Sequence, residues 1–324
     1  MSAPAYEIEY NLTLGSSFDI NRGDIRARLA LGDVVILDGA MGTELERHRA
    51  ISTSPLWSAE AVELREELVA AIHRDYIAAG AEIITTATFR STKRTFEKIG
   101  RAGDYLQNTR RAVELAKEAV SNAGSPRQIF IAGSIAPLED CFRPDLVPSK
   151  EECEREHGAQ AELLADCGVD FILAETFNSV SESVAVAKAA RATCLPYFVA
   201  VTCTTHGTLL SEESIELFVD SVAPYEPACL LINCTPARSL LLSLQRLAAR
   251  FPGAVGAYGN VGMSASIHWE FTDEVTPAAY LNYAKTWLAS GARVLGGCCG
   301  TNPEFIRLLS FHLEGAKPIR DSGV

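Results

Sequence analysis

Two adjacent cysteines, Cys298 and Cys299, sit in the run Gly296-Gly297-Cys298-Cys299-Gly300. Neighbouring cysteines do not easily close a relaxed disulfide, but flanking glycines let the backbone turn until both sulfurs face one ion. A third cysteine, Cys234, lies too far upstream for the spacing of a zinc ribbon, so a local finger is excluded. Three thiolates with an open fourth position describe a catalytic zinc site better than a structural one, which four ligands normally close. Two carboxylates accompany them. Glu175 follows the apolar run Phe171-Ile172-Leu173-Ala174, where a buried strand end obliges it to find a partner. Asp38 precedes Gly39 and also reads as a turn or capping residue.

The other six cysteines, Cys141, Cys153, Cys167, Cys194, Cys203 and Cys229, read as core filler, Cys203 the least firmly because it ends a strand. An odd total of nine, scattered along a chain long enough to fold without staples, points to a reducing cytosol and a cytoplasmic protein. The histidines show no ligand spacing: His48, His73, His157 and His312 read as surface helix positions, His206 and His268 as loop residues. The string Gly39-Ala40-Met41-Gly42-Thr43 lacks the Gly-Lys-Ser/Thr ending of a phosphate loop. With 29 Lys and Arg against 41 Asp and Glu, a net charge of −12 disfavours nucleic acid or an anionic membrane as partner. No secretory leader opens the sequence, and no apolar run reaches the roughly 18 residues of a membrane span.

Whatever positions these residues must bring distant segments to one point. Apolar, β-branched runs at 34–38, 82–86, 128–134, 170–175, 197–203, 229–234, 254–258 and 293–297 predict eight strands. Between and after them, amphipathic stretches at 66–79, 105–122, 150–167, 180–193, 212–222, 237–250, 278–290 and 303–313 predict eight helices. Gly80, Gly168 and Gly291 stand where a helix should turn into the next strand. Continuous apolar strands suit a parallel sheet covered on both faces, so the expected fold is α/β, a single-domain (β/α)8 TIM barrel, with an open doubly wound sheet as runner-up. Residues 1–32 read as an N-terminal extension packed against the barrel or covering its bottom, 33–315 as the barrel and 316–324 as a tail. In a barrel the C-terminal strand ends share one mouth, which gathers Asp38, Glu175, Cys234 and the Cys298-Cys299 pair. The long connections 136–149 and 260–276 stand at the same face.

The chain from about Val34 to Leu313 resembles the zinc-dependent homocysteine S-methyltransferases, a family that includes the S-methylmethionine-dependent and betaine-dependent enzymes and the homocysteine domain of cobalamin-dependent methionine synthase. The resemblance rests on Leu37-Asp38-Gly39-Ala40-Met41-Gly42-Thr43-Glu44-Leu45, Thr86-Ala87-Thr88-Phe89, Gly133-Ser134-Ile135-Ala136-Pro137, Glu175-Thr176-Phe177, Asn233-Cys234 and Gly296-Gly297-Cys298-Cys299-Gly300-Thr301, in that order. It implies Zn2+ held by Cys234, Cys298 and Cys299, with the homocysteine sulfur as fourth ligand. It further implies an amino-acid pocket at Asp38 and Glu175, with Glu175 on the substrate ammonium, Gly39 and Ala40 near its carboxylate, and Thr88 and Asn260 beside them. Relatives often carry Pro before that Asn, where this chain has Gly259. The barrel uses nearly the whole chain and about ten residues follow Leu313, which favours a small sulfonium donor, S-methylmethionine or S-adenosylmethionine. Methyltetrahydrofolate, betaine, a methylcobalamin protein or a selenol acceptor are the variants within the family; a non-catalytic redox or metal-sensing barrel using Cys298-Cys299 is the reading from another class. The partners expected are small molecules, and the sequence leaves the oligomeric state open.

Overall fold

The computed structural model describes residues 23–50, 54–265, 268–270 and 275–313. The strands are β1 (Val35–Ile36), β2 (Ile83–Thr85), β3 (Phe130–Ile135), β4 (Phe171–Phe177), β5 (Tyr197–Val201), β6 (Cys229–Pro236), β7 (Ala254–Asn260), β8 (Met263–Ala265), β9 (His268–Glu270) and β10 (Ala292–Leu295). Eight of them form one parallel sheet in the order β1-β10-β7-β6-β5-β4-β3-β2, and β8 with β9 makes a separate antiparallel pair. The ends of the sheet meet. Glu82 N donates to Ile36 O at 2.7 Å and Asp38 N to Ile83 O at 3.0 Å, so β1 and β2 close a (β/α)8 barrel. Side chains reinforce this short seam, because Ile36 N donates to the Glu82 carboxylate and Thr85 N to that of Asp38.

Alternation along each strand sorts its side chains into two packed layers. Val35, Leu37, Ile83, Phe130, Ala132, Phe171, Leu173, Phe198, Ala200, Leu231 and Val294 fill the barrel interior. Ile36, Ile84, Ile131, Ile172, Val199, Leu230, Ile232 and Leu295 face outward into a second layer shared with the helices. Ile25 and Leu29, from the short helix Ile25–Ala30, join the interior layer and stop its lower end. Arg28 of that helix pairs with Asp33 and Glu82, each at 2.9 Å.

All eight strands and eight helices read from the sequence are present, with ends shifted by a few residues. Gly80, Gly168 and Gly291 take φ of +102°, +72° and +101°, the left-handed turn that only glycine enters cheaply. Short helices at Met41–Arg47, Ser58–Leu64 and Lys93–Glu97, and the β8–β9 hairpin inside the 260–276 connection, are additions. Several side-chain expectations need correction. His73 and His157 are fully buried helix residues, because the faces of their helices that carry them turn toward the barrel, and His268 lies in β9. Both Cys194 and Cys167 sit at helix-to-strand turns; Cys194 is exposed and so is not core filler, while Cys167 is half-buried at the edge of the outer core layer.

Candidate active site

The metal-ligand candidates come from a distorted strand end and a tight loop. The β6–β7 ladder slips between Asn233 and Pro236, and inside that bulge Cys234 takes φ +47°, unusual for a residue with a side chain. Two donors hold this strained turn: Asn260 Nδ2 at 3.0 Å and Thr202 Oγ1 at 3.2 Å from the Cys234 carbonyl. After β10 the backbone passes so close to its neighbours that a Cβ on Gly296 would stand 2.6 Å from Leu37 Cβ, and one on Gly297 2.3 Å from Thr301 Oγ1. The loop is pinned on both sides. Cys298 N donates to Gly259 O and Val261 N to Cys299 O, while Gly297 N donates to Asp38 O and Gly300 N to Thr43 Oγ1.

These ties bring the Cys234 and Cys299 sulfurs to 3.8 Å, and the three sulfurs of Cys234, Cys298 and Cys299 lie within 4.8 Å of one another. Hydrogen bonds from Cys234 and Cys298 hold the Cys299 thiol well below its ordinary range, while the same sharing and burial push the other two well above theirs. The set of soft donors at this spacing could hold a metal ion.

A matching bulge in β4, between Ala174 and Phe177, places Glu175. Thr176 there takes φ +65° and is clasped by Asn233, which accepts from Thr176 N at 3.0 Å and donates to Thr176 Oγ1 at 2.8 Å. The residue before Cys234 thus fixes the residue after Glu175. The Glu175 carboxylate accepts from Ser134 Oγ at 2.6 Å and Tyr258 Oη at 3.3 Å. Burial nevertheless raises its pKa to about 7. Asp38 accepts from Thr85 N at 2.8 Å and Thr85 Oγ1 at 2.9 Å, and burial and the Glu175 charge push it well above the carboxylate range. Among the described residues neither carboxylate forms an ion pair.

Both acids and all three thiols line one cavity of about 510 Å3, together with Gly39 and Ala40. Thr88 and Asn260 do not line it. Thr88 Oγ1 turns away to donate to Ser134 O at 2.8 Å, and Asn260 spends its amide on the Cys234 carbonyl, so both support the wall from behind. Besides Phe89 of the Thr86-Ala87-Thr88-Phe89 motif, the cavity is lined by residues that the sequence did not assign to a site: Trp57, Arg90, Asp140, Cys141 and Phe142. Cys141, read as filler, lies in the cavity wall, its thiol pushed up to about 12 by burial. A proline at position 259 would remove the N–H that donates to Tyr280 Oη at 2.9 Å; that hydroxyl also ties β7 to Gly296 O at 2.8 Å.

Residues 35–313 match the family model described as homocysteine S-methyltransferase. The chain belongs to the homocysteine S-methyltransferase family. It is a methyltransferase acting on small molecules, which replaces the non-catalytic alternative. The homocysteine S-methyltransferase of Escherichia coli is 32% identical over 304 residues, covering 88% of this chain and 97% of that protein. A selenocysteine methyltransferase of Astragalus bisulcatus is 31% identical over 314 residues, covering 85% and 91%. The crystal structure of the metallated form of the E. coli homocysteine methyltransferase MmuM superposes with a TM-score of 0.77 at 29% identity, covering 89% of this chain and 99% of MmuM. Among the described residues of this family member, no helix is long and apolar enough to cross a membrane.

Proposed function

We propose that the enzyme transfers a methyl group from a small sulfonium, S-methylmethionine or S-adenosylmethionine, to the thiol of L-homocysteine, giving methionine, with Zn2+ held by Cys234, Cys298 and Cys299. One observation carries this reading: three convergent sulfurs share a cavity with two buried carboxylates that lack an ion-pair partner among the described residues. When bound, zinc would keep the substrate thiol as the nucleophilic thiolate at neutral pH. Asp38 and Glu175 repel each other across the cavity, and a single ammonium answers both charges, which fixes the amino acid and aims its sulfur at the cysteines. Ser134 and Tyr258 orient the Glu175 carboxylate and favour its charged form against the effect of burial.

At the outer end, Trp57 and Phe89 meet edge to face at 6.5 Å, and the Arg90 guanidinium lies 5.3 Å from the Phe89 ring centre. Aromatic faces attract a sulfonium, and Arg90 suits the carboxylate of an amino-acid donor. As the methyl carbon bonds to the homocysteine sulfur, its bond to the donor sulfur breaks. The electron pair stays with the donor, which leaves as a neutral thioether, and the thiol proton passes to solvent. The similarity to a selenocysteine methyltransferase supports a second reading, a selenol acceptor in the same cavity.

A panel of S-methylmethionine, S-adenosylmethionine, betaine and methyltetrahydrofolate, each with homocysteine and with selenocysteine, tests donor and acceptor together. Activity with a sulfonium and homocysteine is expected. Transfer from methyltetrahydrofolate alone, or undiminished homocysteine methylation by zinc-free protein, would refute the proposal. We further read 33–315 as the homocysteine-binding barrel, with 1–32 as extension and 316–324 as tail, and the protein as cytoplasmic from its cysteine usage.

A further inference from the structure

A second group of metal-type side chains lies outside the cavity lining. Cys153 and His157 stand one turn apart on helix Lys150–Asp166, and Glu182 faces them from helix Val180–Ala192. All three are essentially without solvent exposure, and one ligand atom from each lies within 4.8 Å of the others. His157 Nε2 sits 3.0 Å from Glu182 Oε1, which also accepts from Leu138 N at 2.8 Å. That leaves two atoms over. His157 Nδ1 and Glu182 Oε2 are both inaccessible and neither has a hydrogen-bond partner. With Nε2–H donating to the carboxylate, Nδ1 and Glu182 Oε2 are left as buried acceptors without a donor, while the Cys153 thiol donates to Pro148 O at 3.6 Å. Buried acceptors left in that state are costly, and a cation is what such a set lacks.

We propose that Cys153, His157 and Glu182 form a second metal site, for a borderline divalent ion of the zinc class. Sulfur, imidazole and carboxylate are the donors such an ion takes, at bonds of about 2.0–2.3 Å, toward which the three atoms draw in from their present spread. An ion shared by His157 and Glu182 sits on Nε2, takes the place of the hydrogen bond between them and leaves the ring proton on Nδ1. Binding of the ion displaces the Cys153 thiol proton. The site braces the cavity indirectly. Glu182 pins Leu138, and the same loop continues to Asp140, Cys141 and Phe142 in the cavity wall.

Cobalt(II) titration of the full-length triple variant Cys234→Ser/Cys298→Ser/Cys299→Ser isolates this site from the cavity cluster. About one equivalent of Co2+ with a thiolate charge-transfer band is expected, and adding Cys153→Ser should abolish that band. Glu182→Gln keeps an acceptor for Leu138 and should weaken Co2+ at least tenfold, with far-UV circular dichroism confirming the fold of each variant. No Co2+ bound by the triple variant, or a charge-transfer band that survives Cys153→Ser, would overturn the proposal. Neither result bears on methyl transfer at the cavity.

Discussion

The two cysteine-bearing clusters are built in opposite ways. Cys234, Cys298 and Cys299 are held by irregular backbone: a bulge with a left-handed residue, and a glycine loop with no room for side chains. Cys153, His157 and Glu182 stand on two regular helices, where spacing of one turn brings ligands together without strain. The first cluster opens on a cavity; the second is enclosed. Strain is found where side chains from different strands must be turned toward a substrate, and regular structure suffices where nothing has to enter.

That contrast can be broken most sharply at the thiols. Replacing Cys298 or Cys234 by Ser should empty the cavity of zinc and lower homocysteine methylation by more than about 100-fold, the upper range for losing even an outer-shell partner of a metal. Elemental analysis and initial rates check this. Next in size, Glu175→Ala should cost roughly 2–5 kcal/mol of homocysteine binding, read as a raised KM, with zinc content unchanged. Unaltered homocysteine kinetics would remove Glu175 from the pocket.

The pH dependence follows from the same residue. Its folded pKa of about 7 lies above the ordinary 4.5, so the ligand-free protein binds a proton there that the unfolded chain gives up. The contribution of Glu175 to stability is therefore full below pH 4.5 and is lost as pH rises through 7. Binding an ammonium needs the charged form, so homocysteine KM should rise as pH falls below about 7, approaching tenfold per unit. Glu175→Gln should flatten that profile. A smaller effect is expected behind the three cysteines: Asn260→Ala removes one of the two donors on the Cys234 carbonyl, leaving Thr202, and should weaken zinc about tenfold in a chelator competition. Smallest of all, Cys153→Ser should leave methyl transfer within about twofold, since it lies outside the cavity lining.

The sequence showed the barrel readily because its strands are unbroken apolar runs and its turns carry glycine. Asp38, Glu175 and the three cysteines were legible for a related reason: they interrupt apolar strands at one end, where chemistry and not packing selects the residue. Trp57, Arg90 and Cys141 left no such trace. They sit in turns whose position depends on contacts with other segments, such as Trp57 against Gly42, where a Cβ added to Gly42 would stand 2.0 Å from the ring. His157 did leave a signal, since Cys153, His157, Gln160 and Leu164 recur at helical spacing and are all buried. Counting histidine as polar hid it. Thr88 and Asn260 were placed in the right neighbourhood, yet their hydrogen bonds turn them to the backbone.

The β1–β2 seam bears on how such an enzyme could change its acceptor. Asp38 serves two masters: its oxygens face the cavity and also accept from Thr85 across the narrowest join of the barrel. Among the described residues the Glu175 carboxylate is held only by the side chains of Ser134 and Tyr258. Drift in acceptor preference should therefore run through Glu175 and its two hydroxyl neighbours, while Asp38 stays fixed as a hinge pin that cannot be withdrawn without loosening the door.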